Sequence, residues 1–270
     1  MKVRHFIFRV AAVSALAVLA VPAQATHSWS IYHWARTANP MPLEVVDSVT
    51  FDWQKQFDDS IDDWNGGPSP LVLDMPVSRG DESSKARKRC TAISGKMRVC
   101  NASYGRNGWL GLASINLDAE RHITKGVAKL NDSYSSYWAS VPTEKYSVMC
   151  QEIGHVFGLD HTSTDGSDQD TCMDYSNDPS PEGPNTHDFE QLAEIYHHLD
   201  KYNSYDDGGS TGGGTCNAPP GKGCNKNNAG NSAGEVPPMG IRVHGNSRYE
   251  IWVASDRRGG YWIHHLILAP

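Results

Sequence analysis

The stretch that decides the fold is CQEIGHVFGLDH, residues 150–161. Read as a helix, it places Gln151 and His155 one turn apart on the same face, because side chains four residues apart stack along a helix. Gly158 predicts the end of the helix, since glycine readily takes the left-handed conformation of a C-terminal cap. The turn that follows can bring His161 back towards His155. The stretch therefore predicts a cluster of side chains that commonly bind metals.

The same stretch resembles the signature of the metzincin zinc proteases, H-E-x-x-H-x-x-G-x-x-H. It matches four of the five specified positions and departs at the first; the five residues are Gln151, Glu152, His155, Gly158 and His161. The resemblance implies that zinc is held by His155 and His161, with Gln151 as a weak third ligand. Imidazole binds zinc better than a neutral amide oxygen does. It also implies that Glu152 is the general base that activates water.

The segment after this helix extends the resemblance. Met173 resembles the Met-turn that lies beneath the zinc in metzincins, and Tyr175 follows two residues later. The resemblance implies that Tyr175 donates a hydrogen bond to the oxyanion of the reaction. Residues 185–196 resemble the C-terminal helix of matrixin-like members. The implied fold is α+β, with a twisted mixed sheet, and residues 123–130 are expected to border the cleft and pair with an extended substrate.

Three interpretations of Gln151 stay open. It binds the metal itself, with lowered zinc affinity, or another side chain replaces it; the candidates near it in sequence are His122, Asp160 and His187. In the third interpretation the site is inactive, and the protein is a secreted metzincin-like module that binds peptides. The number of mechanistic residues that are present favours a secreted zinc-dependent endopeptidase acting on a peptide or protein substrate.

The first 25 residues have the pattern of a secretory signal peptide. A basic start is followed by an apolar run over residues 10–21 and by the small-residue site Ala23-Gln24-Ala25. The apolar run is too short to span a bilayer. We therefore expect a secreted protein, extracellular or periplasmic, cleaved near Ala25, with no membrane span.

The charge of the chain argues against nucleic-acid partners. The formal net charge is −7, and without the three basic residues of the signal peptide the chain has 21 basic and 31 acidic residues, or −10. An acidic protein of this kind lacks the basic surface that attracts nucleic acids and anionic lipids.

Composition divides the chain into four parts. The signal peptide is followed by a metallopeptidase-like domain over residues 26–202, a Gly/Asn/Ser-rich linker over 203–235 and a small β appendage over 236–270. The appendage is short for an independent domain, so packing on the main domain is an alternative. The pair His264-His265 in its last strand is interpreted as surface polarity rather than as a metal site.

The six cysteines predict disulfides, because their number is even and the chain is expected to be exported. Six cysteines allow 15 pairings. Pairing between sequence neighbours is favoured, namely Cys90–Cys100, Cys150–Cys172 and Cys216–Cys224.

Two further segments carry predictions. A helix is expected after Thr50, with an apolar face made by Trp53, Phe57, Ile61 and Trp64. In the polar loop after residue 161, Asp165, Asp168 and Asp170 are a weak candidate for a calcium site. They lack the terminal glutamate of an EF-hand loop.

Overall fold

The computed structural model describes residues 27–67, 73–163, 165–176, 182–205, 233–234, 239–256 and 259–270. The predicted signal peptide, the Cys216–Cys224 pair and most of the predicted linker lie outside the described residues.

The described residues form helices and strands in a mixed order. The helices are α1 (Phe51–Gly66), α2 (Ser84–Arg89), α3 (Ser135–Ser140), α4 (Glu144–Val156) and α5 (Thr186–Ile195), with a 3-10 turn at Asp132–Tyr134. The strands are β1 (His33–Trp34), β2 (Met41–Pro42), β3 (Val45–Ser48), β4 (Leu73–Asp74), β5 (Val77–Arg79), β6 (Ala92–Ile93), β7 (Met97–Ala102), β8 (Trp109–Leu117), β9 (His122–Asn131), β10 (Ala233–Gly234), β11 (Ile241–Gly245), β12 (Tyr249–Ser255) and β13 (Tyr261–Leu268). This composition confirms the predicted α+β class.

Nine of the described strands form one mixed sheet. Its order is β11-β12-β13-β8-β9-β7-β3-β5, and β1 also pairs with β9. The β1–β9, β9–β7, β7–β3 and β3–β5 pairs are parallel. The β9–β8, β8–β13, β13–β12 and β12–β11 pairs are antiparallel. The helical layer packs on this sheet, with α4 against β8 and β9 and against α1.

The C-terminal strands continue this sheet. β13 pairs with β8 along its length, from Tyr261 opposite Leu117 to Leu268 opposite Trp109. The outer edge of β8 is therefore covered by the chain's own C-terminal segment. This arrangement agrees with the alternative in which the predicted appendage packs on the main domain.

The expectation that residues 123–130 form a cleft edge is wrong. They belong to β9, which lies inside the sheet between β7 and β8. A Cβ atom at Gly126 would lie 2.3 Å from Cγ1 of Val156, so the glycine allows α4 to approach the sheet closely.

The predicted helix after Thr50 is confirmed as α1, and the four residues of its apolar face are buried. Thr50 occupies the N-cap position without making a capping hydrogen bond; its Oγ1 accepts from Asn101 Nδ2 at 3.0 Å instead. The predicted C-terminal helix is confirmed as α5, with Asn185 and Asp188 forming a reciprocal capping box. Leu199 lies beyond the helix and is exposed.

Two disulfides tie the described residues together, and both were predicted. Cys90 is bonded to Cys100, and Cys150 of α4 is bonded to Cys172. Disulfides of this kind fit an extracellular protein. Among the described residues, every helix falls short of the length and apolar character needed to cross a bilayer.

Candidate metal centre

The centre begins at the C-terminal end of α4. Gly158 follows the helix with φ +99°, as the sequence predicted, and a Cβ atom there would lie 2.1 Å from the carbonyl oxygen of Tyr32. The N-terminal segment holds the turn, since the Trp29 amide donates to the Gly158 carbonyl at 2.9 Å. The turn brings His161 back to His155, with 3.1 Å between their Nε2 atoms.

A third histidine completes the cluster. The ligand atoms of His155, His161 and His265 all lie within 4.8 Å of one another, so the three residues could hold a metal ion. His265 lies on β13 opposite Ala113 of β8. Its side chain is fully buried, so the interpretation of this residue as surface polarity is wrong.

The neighbouring His264 is also buried, but it faces the other side of the strand. Its Nδ1 lies 2.8 Å from the Ser114 hydroxyl. Successive residues of a strand point to opposite faces, so only one of the two histidines can reach α4. The signal in the sequence was the apolar run YWIHHLIL, residues 261–268, in which a histidine is surrounded by core residues.

The imidazoles of the centre are neutral. Burial lowers the pKa of His155 to about 4 and holds the pKa values of His161 and His265 well below their usual range. His155 Nδ1 lies 2.9 Å from the Leu159 carbonyl oxygen, to which it donates. The Nε2 lone pair of His155 therefore points towards the cluster, as a metal ligand requires.

Gln151 lies one turn before His155, where the sequence placed it. Its Nε2 donates to the carbonyl oxygens of Cys172 at 2.6 Å and Asp174 at 2.7 Å. Its Oε1 is buried and makes no hydrogen bond among the described residues. The side-chain amide of Gln151 thus holds the segment around Cys172 and Asp174 in place. Binding of a metal ion by Gln151 Oε1 stays a prediction.

Of the other candidates for the third ligand, two lie away from the cluster and Asp160 borders it without joining the ligand group. His122 lies beside Asp200, with 3.4 Å between Nε2 and Oδ1. Asp160 lies next to the cluster, 3.3 Å from Nδ1 of His161, on the ring edge opposite His155. The ring of His187 packs on the ring of His27.

Glu152 lies between α4 and β8. It is fully buried, and its carboxylate oxygens make no side-chain hydrogen bond among the described residues. A Cβ atom at Gly111 of β8 would lie 2.3 Å from Glu152 Oε1, so this glycine leaves room for the carboxylate. Burial raises the pKa of Glu152 well above its usual value, and the nearby Ala113 backbone offsets part of that rise.

Tyr175 and Met173 are both at the centre. The Tyr175 ring stacks on the His161 ring at a centroid distance of 3.7 Å, and its hydroxyl lies 3.3 Å from His265 Nε2. Burial raises the pKa of Tyr175 well above its usual value, so its hydroxyl is protonated and can donate. A Cβ atom at Gly154 would lie 2.4 Å from Met173 Sδ, which places the methionine against α4.

Aromatic rings enclose the three histidines. Trp29 stacks on His155 at a centroid distance of 5.2 Å and on His265 at 5.5 Å. Tyr249 of β12 stacks on Tyr175 at 4.8 Å. The enclosure separates the imidazoles from bulk solvent and keeps the dielectric constant around them low.

A cavity of about 350 Å³ lies next to this enclosure. Gln151 and Tyr175 line it, together with Arg248 and the C-terminal residues 267–270. Arg248 Nη1 donates to the Tyr175 carbonyl oxygen at 2.8 Å. Neither the three histidines nor Glu152 is among the lining residues, so the cavity borders the centre at Tyr175 and Gln151.

The predicted calcium residues are not brought together. The acidic group that could hold an ion consists of Asp168, Asp174 and Glu182, which shares only Asp168 with the prediction. Asp165 accepts hydrogen bonds within its own loop. Asp174 Oδ2 accepts from the Gln169 amide at 2.6 Å.

Comparison of the chain with protein-family models, with curated proteins and with solved structures found no match.

Proposed function

We propose that this chain is a secreted zinc-dependent endopeptidase of the metzincin type. The observation that carries the proposal is the convergence of His155, His161 and His265 within 4.8 Å, beside Glu152 of the same helix as His155. The Met-turn resemblance at Met173 and the stacking of Tyr175 on His161 support it.

The residues fit a zinc ion. Catalytic zinc sites use three protein ligands, commonly imidazoles, and keep one position open. Here His155, His161 and His265 would hold the ion. The Leu159 carbonyl accepts from His155 Nδ1 and so directs the Nε2 lone pair of His155 to the ion. Bound zinc supplies Lewis acidity, which favours the attack of water on a carbonyl at neutral pH.

Glu152 would transfer the protons, and Tyr175 would stabilise the negative charge that develops on the substrate. Glu152 accepts a proton from the attacking water and passes it to the leaving amine, a role that its place on α4 beside the histidines favours. The Tyr175 hydroxyl donates a hydrogen bond to the carbonyl oxygen as that oxygen becomes negative. The peptide enters by the cavity that Tyr175 lines, because β13 covers the edge of β8.

A second candidate is a protein that binds peptides without cleaving them. It is favoured by the coverage of β8 by β13 and by the full burial of all three histidines. Closed sites of this kind are typical of structural metals. In that case the ion joins β13 to α4, and the cavity alone recognises the partner.

The experiment compares untagged mature protein with Glu152→Gln. We expect wild-type protein to hydrolyse an unfolded protein substrate, and the variant to lose about 10²- to 10⁴-fold in kcat, the usual contribution of a general base. Zinc content should be unchanged, since the carboxylate is not a ligand. The exposed Glu194→Gln is the matched control for loss of one charge. Zinc binding without hydrolysis in wild-type protein would favour the second candidate.

A further inference from the structure

A second group of histidines lies away from the metal centre, around one aspartate. We call it the Asp200 cluster; its members are His33, His122, His198 and Asp200. Asp200 Oδ1 lies 3.4 Å from Nε2 of His122 and 3.4 Å from Nε2 of His198. Asp200 Oδ2 lies 3.4 Å from Nε2 of His33. The ring centroid of His33 is 4.8 Å from that of His122 and 4.9 Å from that of His198.

Three separate parts of the chain build the cluster. His33 and His122 face each other as register partners in the parallel β1–β9 pair. Asp200 follows α5, and its position is fixed by Arg36, whose amide donates to Oδ2 at 2.9 Å and whose carbonyl accepts from the Asp200 amide at 2.7 Å. The side chains are mostly buried, apart from that of His198, which is 41% exposed.

The hydrogen bond of His33 turns its second ring nitrogen into the cluster. His33 Nδ1 donates to the Ile31 carbonyl oxygen at 2.6 Å. His33 Nε2 then faces Asp200, with a carboxylate oxygen 3.4 Å away. This nitrogen is buried and makes no hydrogen bond among the described residues, so it is placed to bind an ion.

His122 is oriented in the same way by its outer neighbour. Its Nδ1 lies 2.7 Å from the Tyr202 hydroxyl, and that hydroxyl donates to Asp118 Oδ2 at 2.8 Å. Since the hydroxyl proton is used on Asp118, His122 donates from Nδ1 and turns Nε2 towards Asp200. Imidazoles whose outer nitrogen is held by a hydrogen bond are typical of metal sites.

We propose that the Asp200 cluster is a second metal site, in which His33, His198 and Asp200 bind a zinc-like divalent ion and His122 lies beside them. The ligand atoms of these three residues lie within 4.8 Å of one another. Imidazole and carboxylate ligands suit zinc, whereas calcium and magnesium prefer oxygen ligands alone.

The ion would tie β1, which pairs with β9, to the segment after α5. Such a tie affects the first centre indirectly, because Trp29, which stacks on His155, lies four residues before His33. The proposal does not depend on catalysis at the first centre. A structural ion at the Asp200 cluster is compatible with either candidate function.

The test measures zinc per chain on untagged full-length protein after equilibration with zinc chloride and removal of free metal. We expect two ions in wild-type protein and one in Asp200→Asn, a substitution that keeps the shape and an acceptor oxygen for the Arg36 amide. His198→Ala removes a partly exposed ligand, so it folds readily, and should weaken the second ion by about 10- to 100-fold. His197→Ala is the matched control, because this exposed histidine neighbours His198 in sequence but lies outside the cluster.

Two further variants distinguish a failure of this proposal from a failure of the proposed function. His265→Ala should lose the first ion and keep the second, which the absorbance of cobalt in a tetrahedral site will report. The combined His265→Ala, Asp200→Asn protein should bind neither ion. The proposal is overturned if wild-type protein binds one ion that His265→Ala removes while Asp200→Asn and His198→Ala leave it unchanged.

Discussion

The first centre and the Asp200 cluster differ in where their carboxylate stands. At the first centre three imidazoles converge, and Glu152 lies beside them with oxygens that make no side-chain hydrogen bond among the described residues. In the Asp200 cluster the carboxylate stands among the imidazoles and contacts all three. A carboxylate outside the ligand set remains able to move protons, whereas one inside it completes the coordination.

The two sites also differ in their surroundings. Trp29, Tyr175 and Tyr249 enclose the first centre, whose histidines are fully buried. The Asp200 cluster has one side open through His198 and is held from behind by hydrogen bonds. The number of histidines in a site therefore does not determine what the site does. The arrangement at the first centre suits hydrolysis, and the arrangement in the Asp200 cluster suits a structural metal.

The largest expected effect is that of His265→Ala on the first centre. Loss of one of three imidazoles should weaken zinc there by about 100-fold or more, since even outer-shell changes cost 10- to 100-fold. Hydrolysis should fall with the zinc, while the Asp200 cluster keeps its ion. Isothermal titration with zinc and an activity assay measure both effects.

His264→Ala is the matched control for this change, because His264 is equally buried but bonds Ser114 on the other face of β13. A rise in activity in His265→Ala would contradict the assignment. It would mean that Gln151 is the third ligand and that β13 blocks the site. Gln151→Leu should then abolish zinc binding, whereas with His265 as ligand it should leave most of it.

The sequence predicted the local half of the first centre. The helix, the turn at Gly158 and the approach of His161 to His155 depend on residues close in sequence, and the structure contains all three. The capping of α5 by Asn185 was predictable for the same reason. Short-range patterns of this kind follow from helix geometry alone.

The remote half could not be predicted, because it depends on which strands pair. His265 reaches the centre through the β13–β8 ladder, which spans more than a hundred residues of sequence. The interior position of β9 and the contact of His33 with His122 depend likewise on pairing that no local pattern specifies. The apolar residues around His265 indicated burial but not its partners.

A smaller effect is expected in the order of metal release to a chelator. The Asp200 cluster should release its ion about tenfold faster than the first centre does, because the side chain of His198 is 41% exposed and can rotate away. The first centre is fully buried and must open before its ion leaves. Two phases in the transfer of zinc to a coloured chelator measure the two rates. Asp200→Asn should remove the fast phase only; if it removes the slow phase, the two sites have been assigned the wrong way round.

The smallest expected effect comes from Trp29→Leu, which opens the first centre without changing a ligand. Trp29 stacks on His155 and His265, and aromatic pairs contribute about 0.5–1.5 kcal/mol beyond buried area. We therefore expect zinc affinity at the first centre to fall by a factor of about 2 to 10. The rate of the slow release phase should rise towards that of the fast phase. Trp262→Leu is the matched control, since that buried tryptophan stacks on His264, on the opposite face of β13. An equal change in both variants would show that general loosening of the fold, rather than the cover over the imidazoles, sets the release rate.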